Sequence, residues 1–178
     1  MNDTEREFKD EFKASTDRAF KEGHKVDNLV IELKTLRMSS NVSLDLVREY
    51  FALYLVGLLL PAASVKEIYE QLSSLLQVWG GVFEKLSPPF TPSDQVALVL
   101  TLQSHYATIT DARTFLIWLR VLYETDLLET EAVVDWWKCD ESREVGGENG
   151  KDLRTAAKTF VERLLEAESS DEDSEEGD

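Results

Sequence analysis

Two stretches of this 178-residue chain carry residue types at spacings that could do chemistry. In "EAVVDWWKCDES", residues 131–142, Trp136 and Trp137 stand side by side among the carboxylates of Glu131 and Asp135. An aromatic face beside a carboxylate is a seat for a cation, because ring quadrupole and negative charge both attract an ammonium or guanidinium group. In "DNLVIELKTLRMSSN", residues 27–41, Glu32 interrupts an apolar helical pattern with an acid. Bond-breaking chemistry has no comparable constellation. His24, His105 and Cys139 fall on different elements and assemble neither a zinc set nor a Cys-His or Ser-His-Asp arrangement. No GxxxxGK[ST] or GxGxxG stretch occurs, and "VGGEN" lacks the lysine and the strand of a phosphate loop. The expectation is binding without covalent catalysis, cofactor or metal.

Helix geometry decides how these residues are offered. Neighbouring positions point about 100° apart, so Trp136 and Trp137 cannot both face one core. One is expected as a core anchor and the other nearer the surface beside Asp135 and Glu131, fit to hold a cationic peptide or lysine-rich segment. In the earlier stretch Leu29, Leu33 and Leu36 form the core stripe, with Glu32 at its edge beside Leu36. Asn28, Ile31, Thr35 and Met38 spread over the outer face. Ile31 and Met38 then form a contact patch with Glu32, or else pack against the next helix layer.

The elements that must position these residues read as helices throughout. Apolar residues return every three or four positions, and no stretch alternates cleanly beside a hairpin dipeptide. The spacing predicts helices over about 3–22, 27–38, 43–60, 64–79, 92–106, 110–125, 129–139 and 150–167. Their caps are Asp27, Ser43 or Asn41, Ser64 with Glu67, and Thr91 before Pro92, with Gly23 as a terminator. Gly80-Gly81 is a possible kink, and the glycine-rich "REVGGENG" separates the last two helices. Taken as pairs starting near 3, 43, 92 and 129, they repeat at intervals of 40, 49 and 37 residues, near the HEAT period of about 40–47. The fold class is therefore all α: stacked antiparallel helical hairpins of HEAT type over residues 1–168, with an irregular bundle as alternative. Such stacks leave extended outer surfaces that bind proteins.

The formal charge of −16 is uneven. Eight acids follow Arg163 without a base, so residues 169–178 are expected to form a disordered acidic tail, either solubilising or a lure for a lysine-rich partner. A pI near 4.5 argues against nucleic acid as a direct ligand. The longest apolar run, "YFALYLVGLLL", is shorter than the roughly 18 residues of a membrane span. With one cysteine and no apolar leader, a cytoplasmic location is expected.

These same segments resemble a known family. "DNLVIELKTLRMSSNVSLDLV", and "EAVVDWW" followed by an acidic terminus, are similar to the C-terminal catalytic domain of the epsilon subunit of eukaryotic translation initiation factor 2B. That resemblance implies a guanine nucleotide exchange domain promoting GDP release from initiation factor 2, without covalent chemistry. It implies that Glu32 and Ile31 match exchange-critical positions acting on the gamma-subunit GTPase. It also implies two acidic-aromatic boxes that bind the lysine-rich beta subunit. The first is Glu131, Asp135, Trp136 and Trp137. The second is Phe160, Glu162, Leu164 and the acids from Glu166 onward, including Glu168, Asp171, Glu172 and Asp173. Arg163 departs from the family pattern, which commonly has tryptophan there. Other subunits of factor 2B are implied as partners in a larger chain of which this one is a part. Relatives in initiation factor 5 and scaffold factor 4G make a noncatalytic adaptor the alternative function. Ser169, Ser170 and Ser174, set among acids, suit acidic-directed kinases.

Overall fold

Helices account for nearly all of the regular structure, and the reason lies in their ends as much as their faces. The computed structural model describes residues 2–60 and 63–175, with side chains described through Ser170. Among these residues are ten helical segments and no strand. No described helix is long and apolar enough to cross a membrane. The chain divides into two compact units, Met1–Thr91 and Pro92–Asp178, where the sequence reading expects one body over 1–168. The division falls at the proline-rich "SPPFTPSD" break.

The first unit contains α1 (Asp3–Glu22), α2 (Val26–Ser40), α3 (Leu44–Leu58), α4 (Val65–Trp79) and α5 (Gly81–Leu86). Asn2 caps α1 by accepting from the Glu5 amide at 2.7 Å, and left-handed Gly23 closes it by donating to the Ala19 carbonyl. Ser43 and Ser64 cap α3 and α4 through the amides three residues on. Asn41 is the left-handed C-cap of α2 rather than an N-cap of α3. Phe8 and Phe12 of α1, Leu29 and Leu33 of α2, and Phe51 and Leu55 of α3 are buried together with Val82 and Phe83 of α5. Burial of each large apolar side chain contributes about 1.5–3 kcal/mol.

The second unit contains α6 (Pro92–Thr108), α7 (Ala112–Glu124), α8 (Thr130–Lys138), α9 (Asp140–Glu144) and α10 (Gly147–Glu175). Here α6 packs on both α7 and α8, and α10 runs against α6, α7, α8 and α9. Its core is built on Leu98, Leu102, Phe115, Trp118, Trp136 and Val161.

Several expectations are corrected. Asp27 does not cap α2: the helix begins one residue earlier at Val26, and Asp27, in its first turn, pairs with Lys85 of α5. Leu36 is only half-buried, and Val30 takes its place in the buried stripe with Leu29 and Leu33. A short helix, α5, follows the helix expected over 64–79 directly at the Gly80-Gly81 pair, and "DESRE" forms the unexpected α9. The "REVGGENG" segment is not a loose linker. Positive φ values at Gly146 (78°) and Gly147 (57°) turn the chain sharply, and helix resumes at once. The backbone of α10 is described to Glu175. Residues 176–178 lie outside the described residues.

The turn into α10 depends on close backbone approach. A Cβ on Gly150 would stand 1.8 Å from the Val145 carbonyl oxygen, whereas one on Gly57, on the exposed side of α3, would meet nothing within 4 Å. Gly150→Ala is therefore expected to destabilise the protein by about 2–3 kcal/mol in urea denaturation. Gly57→Ala should raise stability by roughly 0.5–1 kcal/mol, through helix propensity alone.

Candidate functional site

In the first unit the candidate surface is built on the α1–α2 hairpin, and α1 is fixed from its far side by two tyrosines of α3. Tyr50 stacks on Phe8 with ring centroids 5.8 Å apart, and its hydroxyl donates to Glu5 at 2.9 Å. The Tyr54 hydroxyl donates to Asp17 at 2.6 Å, and Lys13 donates to the same carboxylate at 2.8 Å. These two bonds hold the Asp17 carboxyl below its ordinary range, the lysine contributing most. Burial, and then the Glu5 carboxylate, push Tyr50 up to about 12; burial and Asp17 push Tyr54 up as well. Both tyrosines therefore stay neutral donors at physiological pH.

From the residue after Asp17, Arg18 Nη2 reaches across to α2 and donates to Glu32 Oε1 at 2.6 Å. Glu32 lies at the rim, with its side chain 31 % exposed, so it is neither sealed among leucines nor free of partners. Ile31 is 65 % exposed and Met38 72 %, and Asn28 and Thr35 are exposed on the same outer face. Of the two alternatives for Ile31 and Met38, the structure leaves both as outward apolar contacts. The Thr35 hydroxyl bonds back to the Ile31 carbonyl at 2.9 Å, so it makes no demand on neighbouring helices.

In the second unit the tryptophan pair is oriented by a buried amide. Trp136 is 0 % exposed, and its indole N–H donates to Gln103 Oε1 at 3.0 Å. Gln103, also fully buried, donates through Nε2 to the carbonyls of Ser142 at 2.8 Å and Gly150 at 3.4 Å. One side chain of α6 thus satisfies groups from α8, α9 and α10. A second glutamine of α6, Gln95, accepts from the Glu129 amide at 2.8 Å and donates to its carboxylate at 3.1 Å, seating the start of α8.

Trp137, half-buried, takes the outer position. The seat expected there for a partner's lysine is filled from within the chain. The Arg154 guanidinium of α10 lies 4.1 Å from the Trp137 ring centroid and 5.7 Å from that of Trp136. The same guanidinium donates to the Ser142 hydroxyl, which donates in turn to the Cys139 carbonyl at 3.1 Å. Burial, and then Arg143 nearby, lower the Arg154 pKa. Trp137 is consequently part of an α8–α10 clamp. Glu131 and Asp135 remain exposed on α8, with Lys138 exposed at its end.

On α10, Phe160 is half-buried and packs edge-on to Tyr123 of α7, with centroids 5.9 Å apart. Leu164 is buried, and Glu162, Glu166 and Glu168 are exposed. Glu162 has only a loose contact with Lys158, at 3.9 Å. Asp171, Glu172 and Asp173 belong to the backbone of α10, and their side chains lie outside the described ones. Arg163, the departure from the family pattern, is exposed. At the α7–α8 corner a depression of about 530 Å³ is lined by Tyr123, Glu124, Asp126, Leu128, Glu129 and Thr130, extending the acidic character toward Glu131. His24 sits at the end of α1 in the first unit and His105 on α6 in the second. No cluster of three or more His, Cys, Asp or Glu able to hold a metal occurs among the described residues.

Residues 94–174 match the W2 family, eIF4-gamma/eIF5/eIF2-epsilon. Residues 94–174 form a W2 domain. That match falls within the second unit, Pro92–Asp178, and includes the tryptophan pair and α10. Similarity to one relative reaches further. The chain is 35 % identical over 174 residues to translation initiation factor eIF2B subunit epsilon of Schizosaccharomyces pombe, covering 97 % of this chain and 24 % of that protein. The alignment therefore extends beyond the W2 domain into the first unit. The chain spans about a quarter of the length of that relative.

Sequence reasoning missed Arg18, Gln103 and Arg154. Gln103 was detectable in principle: Val99, Leu102, Gln103 and Tyr106 follow an i, i+3, i+4, i+7 stripe, and a polar residue inside a buried stripe needs a partner. The arginines left no such signal, because they lie outside the buried stripes and their partners are on other helices.

Gln103→Leu keeps similar bulk but strands the Trp136 N–H and the Ser142 carbonyl. Its expected cost is about 2–4 kcal/mol in chemical denaturation. In a double-mutant cycle, Trp137→Leu and Arg154→Met should show a coupling of about 1–2 kcal/mol in stability, since each removes the same cation–π contact. Additive effects would mean that the contact holds nothing.

Proposed function

We propose that this chain is a guanine nucleotide exchange domain that promotes GDP release from translation initiation factor 2. Glu32 and Ile31 on α2 act at the gamma-subunit GTPase. The exposed acids Glu131, Asp135, Glu162, Glu166 and Glu168, continued by Asp171, Glu172 and Asp173, dock the lysine-rich beta subunit. Trp136, Trp137, Phe160 and Leu164 hold the helices that display those acids. The observation that carries this reading is the span of the similarity to the epsilon subunit. It covers the α1–α2 hairpin as well as the W2 domain, so both surfaces fall within the matched length.

Exchange of this kind breaks no covalent bond. A factor that binds the nucleotide-free GTPase more tightly than the GDP-bound form speeds release by that difference alone. Glu32 Oε1 is committed to Arg18, while Oε2 has no hydrogen-bond partner among the described residues and is available at the rim. That oxygen suits a lysine of a nucleotide site, or competition for the cation that holds nucleotide phosphates. Exposed Ile31 supplies an apolar contact next to it. Acids on α8 and α10 attract polycations over longer range, raising the effective concentration of the weaker α2 contact.

The test is release of labelled GDP from initiation factor 2. Glu32→Gln should slow release about tenfold or more while leaving capture by a lysine-block peptide unchanged. A combined Glu131→Lys and Asp135→Lys variant should do the reverse: weak capture, with release recovering when the domain is added in excess. Wild-type release by Glu32→Gln would remove the exchange role, and binding without accelerated release would leave the adaptor reading. Peptide affinity should also fall steeply between about 50 and 200 mM salt, because the docking charges are exposed. A salt-independent affinity would exclude charge-led docking.

A further inference from the structure

We propose that Arg18 is the positioning residue of Glu32, setting the direction in which the carboxylate is presented; the proposal rests on the exchange reading above. Three observations carry it. The pair is cross-helical, joining residues 14 apart in sequence through one bond, Arg18 Nη2 to Glu32 Oε1 at 2.6 Å. The helix from which Arg18 projects is tied by side-chain bonds, Asp17 beside it to Tyr54 and Lys13, and Glu5 nearer its start to Tyr50. Both members stay at the surface, at 53 % and 31 % exposure, so a partner can reach the carboxylate without dismantling the core.

The physical role follows from side-chain freedom. A glutamate with three free torsions must be ordered when a partner engages it, and that loss of entropy opposes the contact. A planar guanidinium fixes one oxygen in advance and leaves the other without a bond. The adjacent positive charge also makes the pair locally neutral, so Glu32 does not draw cations from a distance. Its engagement is short-range and follows docking elsewhere. Arg18 should therefore influence the maximal rate of GDP release and not the concentration at which the domain half-saturates.

Labelled-GDP release is measured with the whole chain over a range of domain concentrations for wild type, Arg18→Gln, Arg18→Lys, Glu32→Gln and the Arg18→Gln/Glu32→Gln pair. Arg18→Gln is expected to lower the maximal rate about threefold to tenfold with the half-saturating concentration unchanged, the scale of an exposed ion pair or somewhat more. Arg18→Lys should restore most of the rate. Arg18→Gln should add no further loss on the Glu32→Gln background, and melting temperatures should stay close to wild type. Wild-type release by Arg18→Gln, with Glu32→Gln impaired, overturns the positioning role and leaves the exchange reading standing. Wild-type release by Glu32→Gln sinks the exchange reading itself. An Arg18→Gln loss that persists on the Glu32→Gln background overturns the proposal by showing that Arg18 meets the partner directly. A loss that tracks a lowered melting temperature and is not restored by lysine assigns Arg18 to the fold and overturns it equally.

Discussion

The second unit is organised around one buried amide. Gln103 carries two donors and an acceptor at its tip into a space closed to water, and it serves the Trp136 indole and the carbonyls of Ser142 and Gly150. Inside a protein an unmatched polar group is costly, so such a side chain tolerates few alternative arrangements of the helices around it. The apolar contacts of Phe115, Trp118 and Leu153 supply most of the burial, and they would accept small slips in register. The amide does not accept them. It fixes which way α8 is rotated, and therefore which of two adjacent tryptophans is core and which face of acids points outward.

A chain with 19 basic residues against 35 acidic ones can be expected to use its cations sparingly, and two of them lie at the candidate surfaces. Arg18 meets Glu32 on α2, and Arg154 lies over Trp137 between α8 and α10. Both arginines join one helix to another, and both restrain a side chain that sequence alone leaves free. Exposed acids lie on α8 and α10, as they also do on α1.

What could be read in the sequence is what short-range periodicity encodes. The all-α class, the caps at Ser43 and Ser64, the Gly23 stop and the break at "SPPFTPSD" are local features, settled by a few neighbouring residues. The opposite placement of Trp136 and Trp137 followed from helix rotation alone. Asp27 misled because an acid in the first turn of a helix gains from the backbone dipole as it would at the cap, so composition does not separate the two positions. "REVGGENG" misled because its glycines mark close packing and a sharp turn, not slack. The ion pair at Glu32 and the cation over Trp137 were out of reach, since each depends on tertiary approach of helices that no local pattern specifies.

The guanidinium of Arg154 over the outer indole bears on chemical selectivity. Aromatic enclosures discriminate a methylated lysine from an unmodified one by wrapping the alkylated ammonium in ring faces. Here a ring that could contribute to such an enclosure is engaged by the protein's own arginine, and the exposed groups nearby on α8 include the carboxylates of Glu131 and Asp135. Such a surface would be indifferent to lysine methylation, which keeps the positive charge, and sensitive to acetylation, which abolishes it.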